Sequence, residues 1–144
     1  MIMPMHNEPY AVVAESFRSL AKINYPKNKL IVVLATEARV PDARKTAARI
    51  TREFGSAFFR FLVTEHPAQR ENEIPGKGSN ETWAAREAKK FIDDLPIAYE
   101  CILVSSLDCD TQVLPEYFGV VTHTFLTCRN PQRSSFQPVP LFIN

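Results

Sequence analysis

Short apolar runs alternate with stretches of helical periodicity along this sequence, and no other feature restricts its fold as much. Met1–Met5 reads as the end of a strand, and Leu30–Ala35 and Ala57–Val63 read as two more. Cys101–Leu107 reads as a further strand, buried on both faces. Between the runs, Tyr10, Val13, Phe17 and Leu20 predict an amphipathic helix over Tyr10–Ile23. Pro41 and Asp42 open a second helix with Ala43, Ala47, Ile50 and Phe54 on one face and Gly55 just past its end. Ser79 or Asn80 caps a third, carrying Ala84, Ala88, Phe91 and Leu95, and Pro96 stops it. Pro115 opens a fourth, with Tyr117, Val120, Val121 and Phe125. Val139–Ile143 is a last short apolar segment. A strand followed by a helix, four times over, predicts an α/β fold: a Rossmann-like, three-layer α/β/α arrangement around a mostly parallel sheet. The whole chain, residues 1–144, reads as one domain, with both ends cut from a longer protein.

Net charge, +1 at pH 7, gives no global electrostatic case for nucleic acid or a membrane surface. No apolar run nears the roughly 20 residues that span a bilayer, and the first residues lack the pattern of a signal peptide. The three cysteines, Cys101, Cys109 and Cys128, are expected to be reduced thiols of a cytoplasmic protein.

Four places carry polar groups where such a sheet would gather them. Asp108 and Asp110 follow the Cys101–Leu107 run. An unpaired charge is too costly inside a strand, so the two belong at its carboxyl end, within reach of one hard cation such as Mg²⁺ or Mn²⁺. As a bare pair they read equally well as a solvated turn. The loop Pro75-Gly76-Lys77-Gly78-Ser79-Asn80 leads into a helix N-terminus and offers one point charge, Lys77, to an anion. It is not a Walker loop, since Glu71 stands where that pattern needs glycine. His6, Asn7 and Glu8 end the first strand, and Thr36 and Glu37 break the second. All four places fall at strand carboxyl ends or in a loop feeding a helix, where an open α/β sheet binds ligands.

These residues, taken together, resemble the nucleotide-sugar-binding half of the family-2 glycosyltransferases, inverting enzymes of the GT-A fold. The resemblance rests on Pro4-Met5-His6-Asn7-Glu8 as a strand-ending Pro-x-x-Asn-Glu, then Ser19-Leu20, Tyr25-Pro26, the Leu30–Ala35 strand, Gly76-Lys77 with Asn80, Asp108-Cys109-Asp110 as Asp-x-Asp, and Pro115. It covers essentially the whole chain. It implies a UDP- or GDP-linked sugar as the bound partner and Mg²⁺ or Mn²⁺ as the cofactor. The donor would lie among Pro4, Asn7, Glu8, Thr36, Glu37, Lys77, Asn80 and Asp108, with Asp108 and Asp110 holding the metal. Glu8 would lie near the nucleoside, Thr36 and Glu37 near the base, and Lys77 near the diphosphate.

The resemblance implies a hexosyltransferase-type activity, but members of this family continue into an acceptor-binding half with a general-base carboxylate. No such residue stands out here, so the expectation is a chain that binds the donor without transferring the sugar efficiently. The acceptor stays unassigned, and membrane association would come only through segments outside these residues. The alternatives are a catalytically incompetent binding module and, further off, a haloacid-dehalogenase-like phosphatase with Asp108 as nucleophile. The phosphatase pattern wants Thr or Val where Gln112 stands.

Overall fold

The computed structural model describes residues 1–138, so the Val139–Ile143 segment lies outside the described residues. Three strands, β1 (Ile2–Pro4), β2 (Ile31–Glu37) and β3 (Arg60–His66), form a parallel sheet in the order β1-β2-β3. Four α-helices accompany them: α1 (Tyr10–Ala21), α2 (Pro41–Phe54), α3 (Lys77–Asp93) and α4 (Tyr117–Thr127). This is an α/β fold compatible with a Rossmann-like layout. No helix among the described residues is long and apolar enough to cross a membrane.

Parallel strands need crossovers, and each face of this sheet is covered by the helices that make them. Met3, Met5, Val32 and Leu34 point to one face, where they meet Val13, Phe17 and Leu20 of α1 and Ala43, Ala47 and Ile50 of α2. Phe17 is fully buried there, its ring 5.6 Å from both Phe54 and Phe61. Ile2, Val33 and Ala35 point to the other face and meet Ala84 and Ala88 of α3. The two small residues, one turn apart, bring α3 close to the sheet. Right-handed crossovers stepping from β1 to β2 to β3 put α1 and α2 on one face, and a step back towards β1 puts the next helix on the opposite one.

The step back ends beside β1, where the structure corrects the sequence reading. Cys101–Leu107 is not a buried central strand. Tyr99–Cys101 is a short 3-10 turn, and the following residues run extended along β1 with a single bridge, Ile2 to Ser106. Leu103 and Val104 are exposed. Hydrogen bonding explains why the pairing is so short. In a parallel ladder alternate residues face each neighbour. Met1 and Met5 bond to β2, so Ile2 and Pro4 face the other way. The Ile2 N–H donates to Ser105 O and its carbonyl accepts from the Leu107 N–H, at 2.8 and 3.1 Å. The next rung would need an N–H from Pro4, which has none. The ladder stops, and the chain from Asp108 onward turns away from β1.

Smaller corrections follow the same logic. β2 continues through Thr36 and Glu37 instead of breaking there, because Glu37 pairs in register with His66 of β3. β3 begins at Arg60, three residues later than the Ala57–Val63 reading, because Gly55–Ala57 forms a 3-10 turn that carries α2 into the strand. α3 begins at Lys77 with Gly76 as its N-cap, ahead of Ser79 and Asn80. Gly76 takes φ 157° and ψ −175°, a region open essentially to glycine alone. Ser79 Oγ accepts from the Gly76 N–H at 3.0 Å and donates to the Gly76 carbonyl at 2.7 Å, which fixes that turn. In α4 the buried residue is Phe118, against Tyr25, instead of the Val120 face.

Candidate functional site

A cavity of about 510 Å³ opens at the carboxyl ends of β1 and β2. β1 is flanked by β2 on one side and by the Ser105–Leu107 segment on the other, so this is where the winding of the sheet changes direction. Crevices at such a point lie between connections that leave for opposite faces, which is why open α/β sheets bind ligands there. The lining comes from four separate stretches: the end of β1 with its turn, the end of β2 with its turn, the start of α3, and Asp108–Asp110.

Of the residues expected from the sequence, Pro4, Glu8, Glu37, Lys77, Asn80, Asp108 and Asp110 line this cavity. Two do not. Thr36 is buried, and its hydroxyl donates to the Thr64 carbonyl at 2.9 Å. Thr36 and Glu37 are consecutive in a strand and face opposite sides, so only one of them can reach the cavity. Asn7 is exposed and stands outside the lining.

Glu37 is a carboxylate buried at the cavity wall, 5% exposed. Arg39 Nε donates to its Oε2, and His6 Nδ1 lies 3.3 Å from its Oε1. A buried carboxylate needs such partners, because losing water without replacement is expensive. Arg39 was invisible to motif reasoning; the available signal was a basic residue in the tight turn two positions after a strand-end carboxylate. His6 was legible as a polar strand-end residue, and its role here is to flank Glu37. Its backbone N–H donates to Glu8 Oε2 at 2.7 Å, which fixes the turn after β1.

Across the cavity, Lys77 Nζ donates to Asp108 Oδ1. The pair raises the lysine's pKa above its ordinary value, with Glu81 and Asp110 adding to the effect. Asn80, in the first turns of α3, is buried and donates from Nδ2 to the Ala35 carbonyl at 3.0 Å. That bond ties α3 to β2 and holds the Gly76–Lys77 turn over the cavity. The N–H groups of the first turn of α3 have no intrahelical acceptor, as at any helix start. Cys109 sits between the two aspartates, buried. Its thiol is pushed well up from the usual range, first by burial and then by the neighbouring Glu8 and Asp110 carboxylates.

The charges do not balance. Glu8, Glu37, Asp108 and Asp110 bring four carboxylates, and Arg39 and Lys77 bring two permanent cations, both already paired within the cavity. Among the described residues no three His, Cys, Asp or Glu side chains are grouped into a ready-made metal cage. Asp108 and Asp110 do offer hard oxygens at one rim, and a hard cation completes its shell from water or ligand oxygens when the protein supplies only one or two carboxylates. Compared with known proteins, the chain matches no family model, no curated protein and no solved structure. The chemistry therefore has to be argued from the cavity.

Proposed function

We propose that this chain binds a nucleoside-diphosphate sugar together with Mg²⁺ or Mn²⁺, as the donor-binding part of an inverting glycosyltransferase with a partial GT-A-type fold. The observation that carries the reading is the charge of the switch-point cavity. With four carboxylates against two cations it repels a bare diphosphate and attracts a cation. A divalent cation reconciles an acidic cavity with an anionic ligand, since it can take oxygens from both. Asp108 and Asp110 would hold it, and bound there it would offset charge on a departing diphosphate.

The residues around that centre divide the remaining work. Lys77, at the start of α3, would approach the phosphates, with the free N–H groups of the helix beside it. Glu37, held by Arg39, would accept hydrogen bonds from the base or ribose. Pro4, Glu8 and the turn after β1 would shape the nucleoside end, and Asn80 acts by holding the Lys77 turn in place. None of the cavity carboxylates is free to deprotonate an acceptor hydroxyl on this reading, because each is paired, near the nucleoside or on the metal. The chain by itself therefore binds the donor and transfers it poorly.

Titration calorimetry with UDP- and GDP-sugars, with and without Mn²⁺, tests this. Binding of one of them is expected only with the metal, and Asp110→Ala should weaken it at least tenfold, in the range seen for losses around metal sites. Binding that is indifferent to metal and to Asp110→Ala, or no binding by any nucleotide sugar, overturns the proposal.

A further inference from the structure

The permanent charges at the rim form two closed pairs, Arg39 with Glu37 and Lys77 with Asp108. We propose that the second pair is a latch that makes the cation and the phosphate groups bind cooperatively. Neither ligand reaches its residue without parting Lys77 from Asp108, and the two together part them once. The inference rests on the donor-site reading above, because it takes Asp108 as a cation ligand and Lys77 as a phosphate contact.

The pair spans 31 residues of sequence and joins α3 to the turn that follows the Ser105–Leu107 segment. Glu81, one helical turn on from Lys77, is a nearby alternative partner, but its Oε1 accepts from Ser106 Oγ at 2.7 Å. Arg39 is held by Glu37, so no second pocket cation stands ready to replace Lys77 at Asp108. A cation settling between Asp108 and Asp110 takes the carboxylate from Lys77 and repels its ammonium. The released ammonium then stands beside the unbonded N–H groups of the α3 N-terminus, which is where phosphate oxygens are favoured. Linkage makes the effect reciprocal: the factor by which the cation improves phosphate binding equals the factor by which phosphate improves cation binding. Both side chains are more than half exposed, at 57% and 59%, so the pair is a weak lock. Exposed pairs of this kind support an effect of about two- to fivefold.

Mn²⁺ affinity of the 144-residue chain, read by electron paramagnetic resonance without nucleotide, tests the latch. Lys77→Gln should bind Mn²⁺ about two- to fivefold more tightly than the native chain. Arg39→Gln removes the same charge from the same cavity without freeing Asp108, and should improve Mn²⁺ binding less. In an Asp108→Asn background, Lys77→Gln should have no further effect. The gain in UDP affinity on adding Mn²⁺ should be smaller in Lys77→Gln than in the native chain. Unchanged or undetectable Mn²⁺ binding by Lys77→Gln, or an equal gain with and without Asp108, overturns the latch. If the Mn²⁺ cycle holds while UDP does not bind, the donor-site reading fails and the phosphate half of the latch fails with it, leaving a lysine gate on a cation site.

Discussion

Cys109, Cys128 and Cys101 differ in reactivity for reasons that each side chain's neighbours supply. Cys109 is buried against Glu8, and both burial and that carboxylate keep its thiol protonated. Cys128 lies 3.2 Å from Ser134 Oγ, and the hydroxyl's hydrogen bond lowers its thiol pKa. Cys101 is exposed. The thiolate is the reactive form, so iodoacetamide at neutral pH should label Cys128 and Cys101 readily and leave Cys109 unmodified until the fold is opened with denaturant. Peptide mass mapping reads the order, and early labelling of Cys109 would contradict the packing described around it. Residue-level legibility was uneven for a physical reason. Charged strand-end residues such as Glu37 and Asp108 announce themselves, since they cannot be buried without partners. Which of two neighbours faces a cavity depends on strand register, and register comes from pairing with β3, which no local pattern around Thr36 reveals.

At the level of elements, α2 is fastened to β3 by Arg44, which makes two hydrogen bonds to the Glu65 carboxylate. The pair holds the Glu65 carboxyl below the usual carboxylate range, and the guanidinium hydrogen bond is the main cause. A carboxyl whose folded pKa is depressed contributes stability above its unfolded value, and that contribution is lost as pH falls through the folded one. Urea unfolding from neutral pH down to about pH 3 should therefore show a smaller acid-side loss for Glu65→Gln than for the native chain. The difference should be at most about 1 kcal/mol, because the pair is largely exposed. An identical acid slope would remove the pair from the stability account. Elements bounded by proline or glycine were the readable ones: α2 starts at Pro41 and ends before Gly55, where the sequence put it. β3 was misplaced because Phe58, Phe59 and Phe61 read as one aromatic run, whereas a 3-10 turn occupies residues 55–57 and Phe58 packs against Phe61 from outside the strand.

Across the whole molecule, the layers divide the apolar residues into those that hold the sheet and those that lie along its margin. Leu34 is fully buried in β2, and Val104 is 65% exposed beside β1. Leu34→Ala should cost about 2–5 kcal/mol in denaturant unfolding, whereas Val104→Thr should fall within about 0.5 kcal/mol of the native chain. A large loss at Val104 would restore the buried-strand reading of that segment. An apolar run looks the same in sequence whether it is covered on two faces or lies along a margin, so composition could not separate these cases. The convergence of the pocket was legible because parallel strands deliver their carboxyl ends to one edge. Four weak signals on one edge constrain each other in a way that one Asp-x-Asp does not.

The proline at the end of β1 has a consequence that reaches beyond its own residue. Because Pro4 has no hydrogen to give Leu107, the two chains part after one rung, like a zipper meeting its stop. The gap between them is therefore fixed by the chemistry of a single backbone nitrogen, whereas the core beneath is fixed by side-chain volume. The two can vary independently: a chain of this design can tighten its interior without closing the mouth of its cavity.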